Sequence, residues 1–138
     1  MAEALRKVVI DTNVLVSAVL FGGEPGRVVD LVRAGSMAGV TSLYILDEFV
    51  RVLTGLKFGI SRDVVEALAV EIAGFTEVVA VEKATGSWVG DISDDPIIET
   101  ALRAGATHLV TGDHALLRVD VPGLRVVTVA SLLAPAAD

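Results

Sequence analysis

Four acidic positions in this 138-residue chain are placed to serve one site: Asp11, Glu48, the pair Asp94-Asp95, and Asp113. Asp11 directly follows the short run Lys7 to Ile10, and Asp113 follows Thr107 to Val110 with only Thr111-Gly112 between. Asp94-Asp95 precede Pro96, where a first helical turn is expected, and Glu48 lies in the helix after the second strand. Several carboxylates gathered at one strand edge repel one another unless a cation offsets them, and hard divalent ions such as Mg²⁺ or Mn²⁺ prefer oxygen ligands. The chain has no cysteine and two histidines, His108 and His114, too few for thiolate chemistry or for a zinc site rich in Cys or His. Any metal would therefore be held by carboxylates. Simpler uses compete at each position: Asp95 before Pro96 and Asp113 before Ala115 can cap helices, and Glu48 can lie on a solvated face.

The elements that must position these residues follow from pattern and punctuation. Lys7 to Ile10 reads as a buried strand ending at Asp11-Thr12-Asn13. A helix is expected over Val14 to Leu20, broken by Phe21-Gly22-Gly23-Glu24-Pro25-Gly26, and a second from about Arg27 to Ala34, ended by Gly35. Gly39 to Thr41 is a very short strand. Ser42 caps a helix to about Thr54 with Leu43, Leu46, Val50 and Leu53 as its apolar face, and Ser61 caps another to about Phe75. Further strands are expected at Val78 to Val81, Thr107 to Val110 and Leu124 to Val127, with a loop from Ala84 to Ser93, a helix from Pro96 ended by Gly105, and a helical turn at Ala115 to Leu117. Short apolar strands alternating with helices predict an α/β fold, a three-layer α/β/α sandwich with a central, mainly parallel five-stranded sheet. Ligand sites of such sheets collect beyond the carboxyl ends of the strands.

Composition bounds the rest. A chain of this length fits one domain over residues 1–138, since division is usual only beyond about 250 residues. With 53% hydrophobic and 21% charged residues it has ample apolar surface to fold. Met1 to Arg6 lacks an apolar signal core and no apolar run approaches the roughly 18 residues of a membrane span, so a cytoplasmic protein with no membrane partner is expected. The net charge of −7 lacks the basic footprint of a typical nucleic-acid binder. Arg27, Arg33, Arg51, Lys57 and Arg62 are the residues from which a local phosphate-contacting surface could come.

The sequence also resembles the PIN-domain nuclease superfamily, in particular its small prokaryotic members that act as toxins of toxin–antitoxin pairs. The resemblance rests on Val8-Val9-Ile10-Asp11-Thr12-Asn13-Val14-Leu15, on Thr41-Ser42 leading to Asp47-Glu48-Phe49, on Asp94-Asp95-Pro96-Ile97-Ile98, and on Thr107-His108-Leu109-Val110-Thr111-Gly112-Asp113. It implies a metal-dependent ribonuclease in which Asp11, Glu48, a third Asp and Asp113 gather one or two Mg²⁺ or Mn²⁺ ions. Asp95 matches the family's phase as that third position, with Asp94 as its substitute or support. Asn13 and Thr111 would orient the carboxylates, although a turn residue and a strand terminus explain them equally. RNA as substrate, a cognate antitoxin and a homodimer are the implied partners.

Other features read as structural. Gly22, Gly23 and Gly26 lack the Gly-Lys-Ser/Thr of a phosphate loop. Trp88 reads as a packing or partner-contact residue and His114 as an exposed loop residue, while Val64 to Ile72 could extend a dimer or antitoxin surface. A phosphatase of the haloacid-dehalogenase type would want an Asp where Asn13 stands, and a receiver domain a lysine later than Lys83. A non-catalytic module binding protein partners is the remaining alternative.

Overall fold

The computed structural model describes residues 6–82 and 95–135. The chain runs β1 (Lys7–Ile10), α1 (Thr12–Phe21), α2 (Gly23–Arg33), β2 (Ala38–Ser42), α3 (Leu43–Thr54), α4 (Arg62–Phe75), β3 (Thr76–Val79), α5 (Pro96–Ala104), β4 (His108–Val110), α6 (His114–Leu117), β5 (Arg125–Val127) and α7 (Val129–Leu133). The strands form one sheet in the order β3-β2-β1-β4-β5 with every neighbouring pair parallel. The expected mainly parallel sheet is thus wholly parallel among the described residues, and helices flank it as in an α/β sandwich. β1 is central and enclosed, with Val8, Val9 and Ile10 at most 2% exposed, which is why it reads as an unbroken β-branched run. From β1 the chain builds outward through β2 to β3, then crosses back to lay β4 on the other side of β1. A switch point therefore lies between the carboxyl ends of β1 and β4, where open parallel sheets form their clefts.

Several boundaries differ from those the pattern predicts. α2 begins at Gly23 and not near Arg27, because the break is confined to Gly22 and Gly23, at φ 67° and 56°, and Pro25 sits in the first turn, where its missing N–H costs nothing. β3 starts two residues earlier than expected: Thr76 leaves α4 directly into extended backbone, its hydroxyl donating to the Ile72 carbonyl. α7 is an additional helix that the pattern does not announce, capped by the Thr128 hydroxyl accepting from the Ser131 amide. Ser61 stands at the N-cap of α4 but its side chain makes no capping bond. The loop expected over Ala84 to Ser93, with Trp88, and Asp94 lie outside the described residues.

The largest correction concerns α3. Its buried face is Ile45, Phe49 and Leu53, all 0% exposed, while Leu43 is 42% exposed and Leu46 and Val50 only half-buried. The helix carries two overlapping apolar stripes, and the bulkier one wins because seating Phe49 in the core removes more apolar surface from water. This rotation has a functional consequence, since the adjoining i, i+4, i+8 stripe of Tyr44, Glu48 and Val52 is turned toward the sheet's carboxyl edge.

One close approach fixes how α2 lies on the sheet. A Cβ at Gly39 in β2 would overlap Val32 Cγ1 of α2 and meet Thr76 Cγ2 at 3.0 Å. Gly39→Ala is therefore expected to lower stability by about 1–3 kcal/mol, the usual cost of overpacking, read as a lower urea midpoint at unchanged slope. An unchanged midpoint would show that α2 and β3 can separate freely.

Candidate active site

Asp11, Glu48, Asp95 and Asp113 line one cleft of 420 Å³ at the carboxyl end of β1. Three of these four owe their places to helix capping. Asp11 accepts from the Thr12 amide at 2.7 Å, Asp95 from the Ile97 amide at 2.7 Å and Asp113 from the Ala115 amide at 2.8 Å, each through Oδ1. Asp is chosen at such positions because its oxygen satisfies an orphan backbone donor and its charge suits the positive helix end. Capping and cleft lining are thus compatible: in Asp95 and Asp113 the second oxygen, Oδ2, carries no hydrogen bond among the described residues. Glu48 comes from mid-helix, half-buried, with its Oε2 3.5 Å from the Tyr44 hydroxyl.

Asp11 is the anchor. It is 5% exposed, and its backbone amide donates to the Val110 carbonyl at 3.0 Å, tying the end of β1 to that of β4. Its Oδ2 accepts from the Thr111 hydroxyl at 2.7 Å and from Asn13 Nδ2 at 3.2 Å. The same Thr111 hydroxyl accepts from the Asp113 amide at 2.9 Å, and Asn13 Oδ1 accepts from the Gly112 amide at 3.1 Å. Asn13 and Thr111 therefore lock the turn carrying Asp113 onto the turn carrying Asp11. Both residues bridge positions about a hundred apart in sequence, which is what short-range turn and strand readings of them could not show.

The carboxylates feel one another. Burial is the largest influence raising the Asp11 pKa above its ordinary value, the charges of Glu48 and Asp95 add to it, and the Thr111 and Thr12 hydrogen bonds oppose it. Burial likewise leads in raising Asp95, followed among the raising influences by the charges of Asp113 and Glu48, against the Ile97 amide bond. A carboxyl whose pKa is higher in the fold than in the unfolded chain stabilises fully only below the unfolded value of about 3.9. That stability is lost as pH rises through the folded value, so at neutral pH these two charges act against folding. Asp95→Asn keeps a good cap and removes one of them. It is expected to raise the melting temperature of the chelator-treated chain at pH 7, with the gain shrinking as pH falls toward 3.9; a gain independent of pH would point away from charge.

The donor set suits a hard cation: it is all oxygen, mutually repelling and partly desolvated. Among the described residues the buried Thr12 hydroxyl, of a residue that lines the same cleft, has no hydrogen-bond partner. Among the described residues no group of three His, Asp or Glu side chains is placed to hold an ion directly. Gripping an ion at about 2.0–2.6 Å thus requires the free oxygens of Glu48, Asp95 and Asp113 to draw in. Sequence reasoning missed the other wall, formed by Leu20, Phe21, Tyr44, Val52 and Phe58. Tyr44 and Val52 were findable as the i−4 and i+4 neighbours of Glu48, and Phe21 as the helical continuation of Asn13 and Ser17. Phe58 carried no such signal. His114 is exposed on α6 and lines a neighbouring groove instead.

The basic residues divide. Arg33 pairs with Asp30 and Glu71, and Arg62 with Glu66. Arg27 is exposed on α2 and does not line the cleft. Arg51, exposed on α3, does not line it either, while Lys57 Nζ lies 5.3 Å from the centre of the ring of Phe58, a lining residue.

A parallel sheet with an acid-lined cleft at its switch point defines an α/β protein with a candidate site for a hard cation. A family model for the PIN domain matches residues 7–115, from the first residue of β1 to the second of α6, and the chain belongs to that family. PIN domains are nuclease-type folds, generally divalent-metal-dependent ribonucleases. No curated protein matches the chain. No helix among the described residues is long and apolar enough to cross a membrane.

Proposed function

We propose that the chain is a Mg²⁺- or Mn²⁺-dependent endoribonuclease acting in the cytoplasm as the toxin of a toxin–antitoxin pair. The observation that carries the catalytic part is the convergence of Asp11, Glu48, Asp95 and Asp113 on one cleft, where burial and then neighbouring carboxylates raise the pKa of Asp11 and of Asp95. Asp11, Glu48, Asp95 and Asp113 would hold one or two ions, with Asp94 in support of Asp95. A divalent ion held there supplies an activated water and offsets charge on the scissile phosphate. The chain's own contribution is positional. Asp11 is clamped by three hydrogen bonds, Asn13 and Thr111 hold the Asp113 turn against it, and Thr12 offers an unspent hydroxyl. The toxin role rests on the resemblance to small prokaryotic PIN proteins. The homodimer is supported by the apolar residues Val64 and Val70, 52% and 73% exposed on α4.

The test is cleavage of a panel of structured and unstructured RNAs by the purified chain with Mg²⁺ or Mn²⁺, and its loss on chelation. Cleavage that survives chelation, or none of any RNA, would overturn the reading. Thr111→Val gives a finer check, since Thr111 is 0% exposed and Val matches its shape. Losing the hydroxyl leaves Asp11 Oδ2 and the Asp113 turn held by Asn13 alone, so cleavage is expected to fall about 10- to 100-fold, the usual cost of removing a group that orients a metal ligand. Stability should fall by about 1–3 kcal/mol as buried partners lose a bond. Full activity in a folded Thr111→Val chain would show that the carboxylates need no such support.

A further inference from the structure

The apolar half of the cleft is not explained by binding metal or phosphate. Phe21, at the last position of α1, is 79% exposed at its rim, and Phe58, from the segment joining α3 to α4, faces the same space. Val52 and Tyr44 complete this wall, and Tyr44 stands between it and Glu48. Among the described residues Lys57 makes no ion pair, and its Nζ lies 5.3 Å from the centre of the Phe58 ring. Carboxylates thus line one part of the cleft and apolar side chains another, with one cation beside the Phe58 ring.

We infer that this wall is a nucleobase subsite: Phe21 and Phe58 receive the base of the nucleotide joined to the scissile phosphate, and Lys57, beside the Phe58 ring, meets a neighbouring phosphate. The inference rests on the ribonuclease reading above and deepens it by naming the residues that seat the base. A base is joined to its phosphate through a single sugar, so a phosphate drawn to the carboxylates brings its base to this wall. Aromatic faces accept any base by stacking, and cations beside them suit the backbone. A cleft of 420 Å³ matches the roughly 300–1,000 Å³ of pockets that enclose one small group. A standard protein interface buries about 800 Å² on each partner and needs a broader surface. A base can reach the wall only when it is unstacked and unpaired.

The test compares the native chain with Phe21→Ala, Phe58→Ala and Phe58→Trp on one single-stranded RNA, free and annealed to its complement. Phe21 is exposed enough that its loss leaves folding intact, so Phe21→Ala still tests the subsite if Phe58→Ala misfolds. Both alanine variants should lower kcat/KM by about 5- to 100-fold, the range that stacking one base supports, chiefly through KM. Phe58→Trp, which keeps a stacking face, should lower kcat/KM less than Phe58→Ala, annealed RNA should be cleaved at least tenfold more slowly, and the Mn²⁺-induced rise in Tm should be unchanged in every variant. A 2-aminopurine placed at the cleavage site should lose fluorescence on mixing with the native chain, before cleavage, and keep it with the alanine variants. Unquenched 2-aminopurine together with full activity of the alanine variants would overturn the subsite while leaving metal-dependent cleavage standing. Alanine variants that instead turn a dimer into a monomer in sedimentation, with the base signal unaltered, would overturn it in favour of a second copy of the chain. Loss of both Mn²⁺ stabilisation and cleavage in the native chain would fail the ribonuclease reading itself.

Discussion

Asp11→Asn is expected to lower the rate of RNA cleavage at saturating Mn²⁺ by roughly 10³-fold, the size of the several kcal/mol that a bound cation contributes to phosphoryl transfer. The substitution is nearly isosteric, and its consequences are local. The amide can still accept from the Thr12 N–H, but its NH₂ meets two groups that now donate to Asp11 Oδ2, the Thr111 hydroxyl and Asn13 Nδ2. Thr111 can turn its proton away and accept. Asn13 can do so only by flipping, which surrenders its bond from the Gly112 amide. The change therefore removes a charge and loosens the Asp113 turn together, where a change at an exposed acid such as Asp47 removes a charge only. Single-turnover rates of Asp11→Asn and Asp47→Asn at equal RNA and metal separate the two. Comparable losses would show that bulk charge, and not this cleft, governs the reaction.

Millimolar Mg²⁺ or Mn²⁺ is expected to raise the melting temperature of the chelator-treated chain by about 10 °C. An ion that binds only the folded state stabilises it by about 2.7 kcal/mol at a hundred times Kd, and each kcal/mol moves the transition of a chain this size by a few degrees. The direction follows from the cleft: burial and neighbouring carboxylates work against the charged forms of Asp11 and Asp95, so a cation relieves what folding imposes. Asp11→Asn and Asp95→Asn should respond less, and Asp47→Asn should respond like the native chain. Calorimetric scans across a metal titration make the measurement, and curves that superpose at all concentrations would sink the metal site whatever the RNA assays show. The same scans measure Kd, because the shift grows with the logarithm of metal concentration once the site is saturated.

What the sequence determined by itself is local. An Asp followed by a helical start, as at Asp11, Asp95-Pro96 and Asp113, is both a cap and a carboxylate held at a strand or loop exit, and the order of β-branched runs and helices requires a parallel sheet whose strand ends form one edge. Gly105, at φ 64°, ends α5 where the pattern says it must, because the chain needs a left-handed residue there to leave the helix. Tertiary structure decided what local signals leave degenerate. α3 carries two apolar stripes of similar spacing, and only the space beneath it, which Phe49 fills, selects the rotation that brings Glu48 and Tyr44 to the cleft. Asn13 and Thr111 look like a turn residue and a strand terminus until β1 and β4 lie side by side, after which their hydrogen bonds span about a hundred positions. Phe58 reaches the cleft through a connection with no period to read. Periodicity specifies which faces of an element are apolar, but which face is buried depends on the volume its neighbours leave, and that volume exists only once the sheet has assembled.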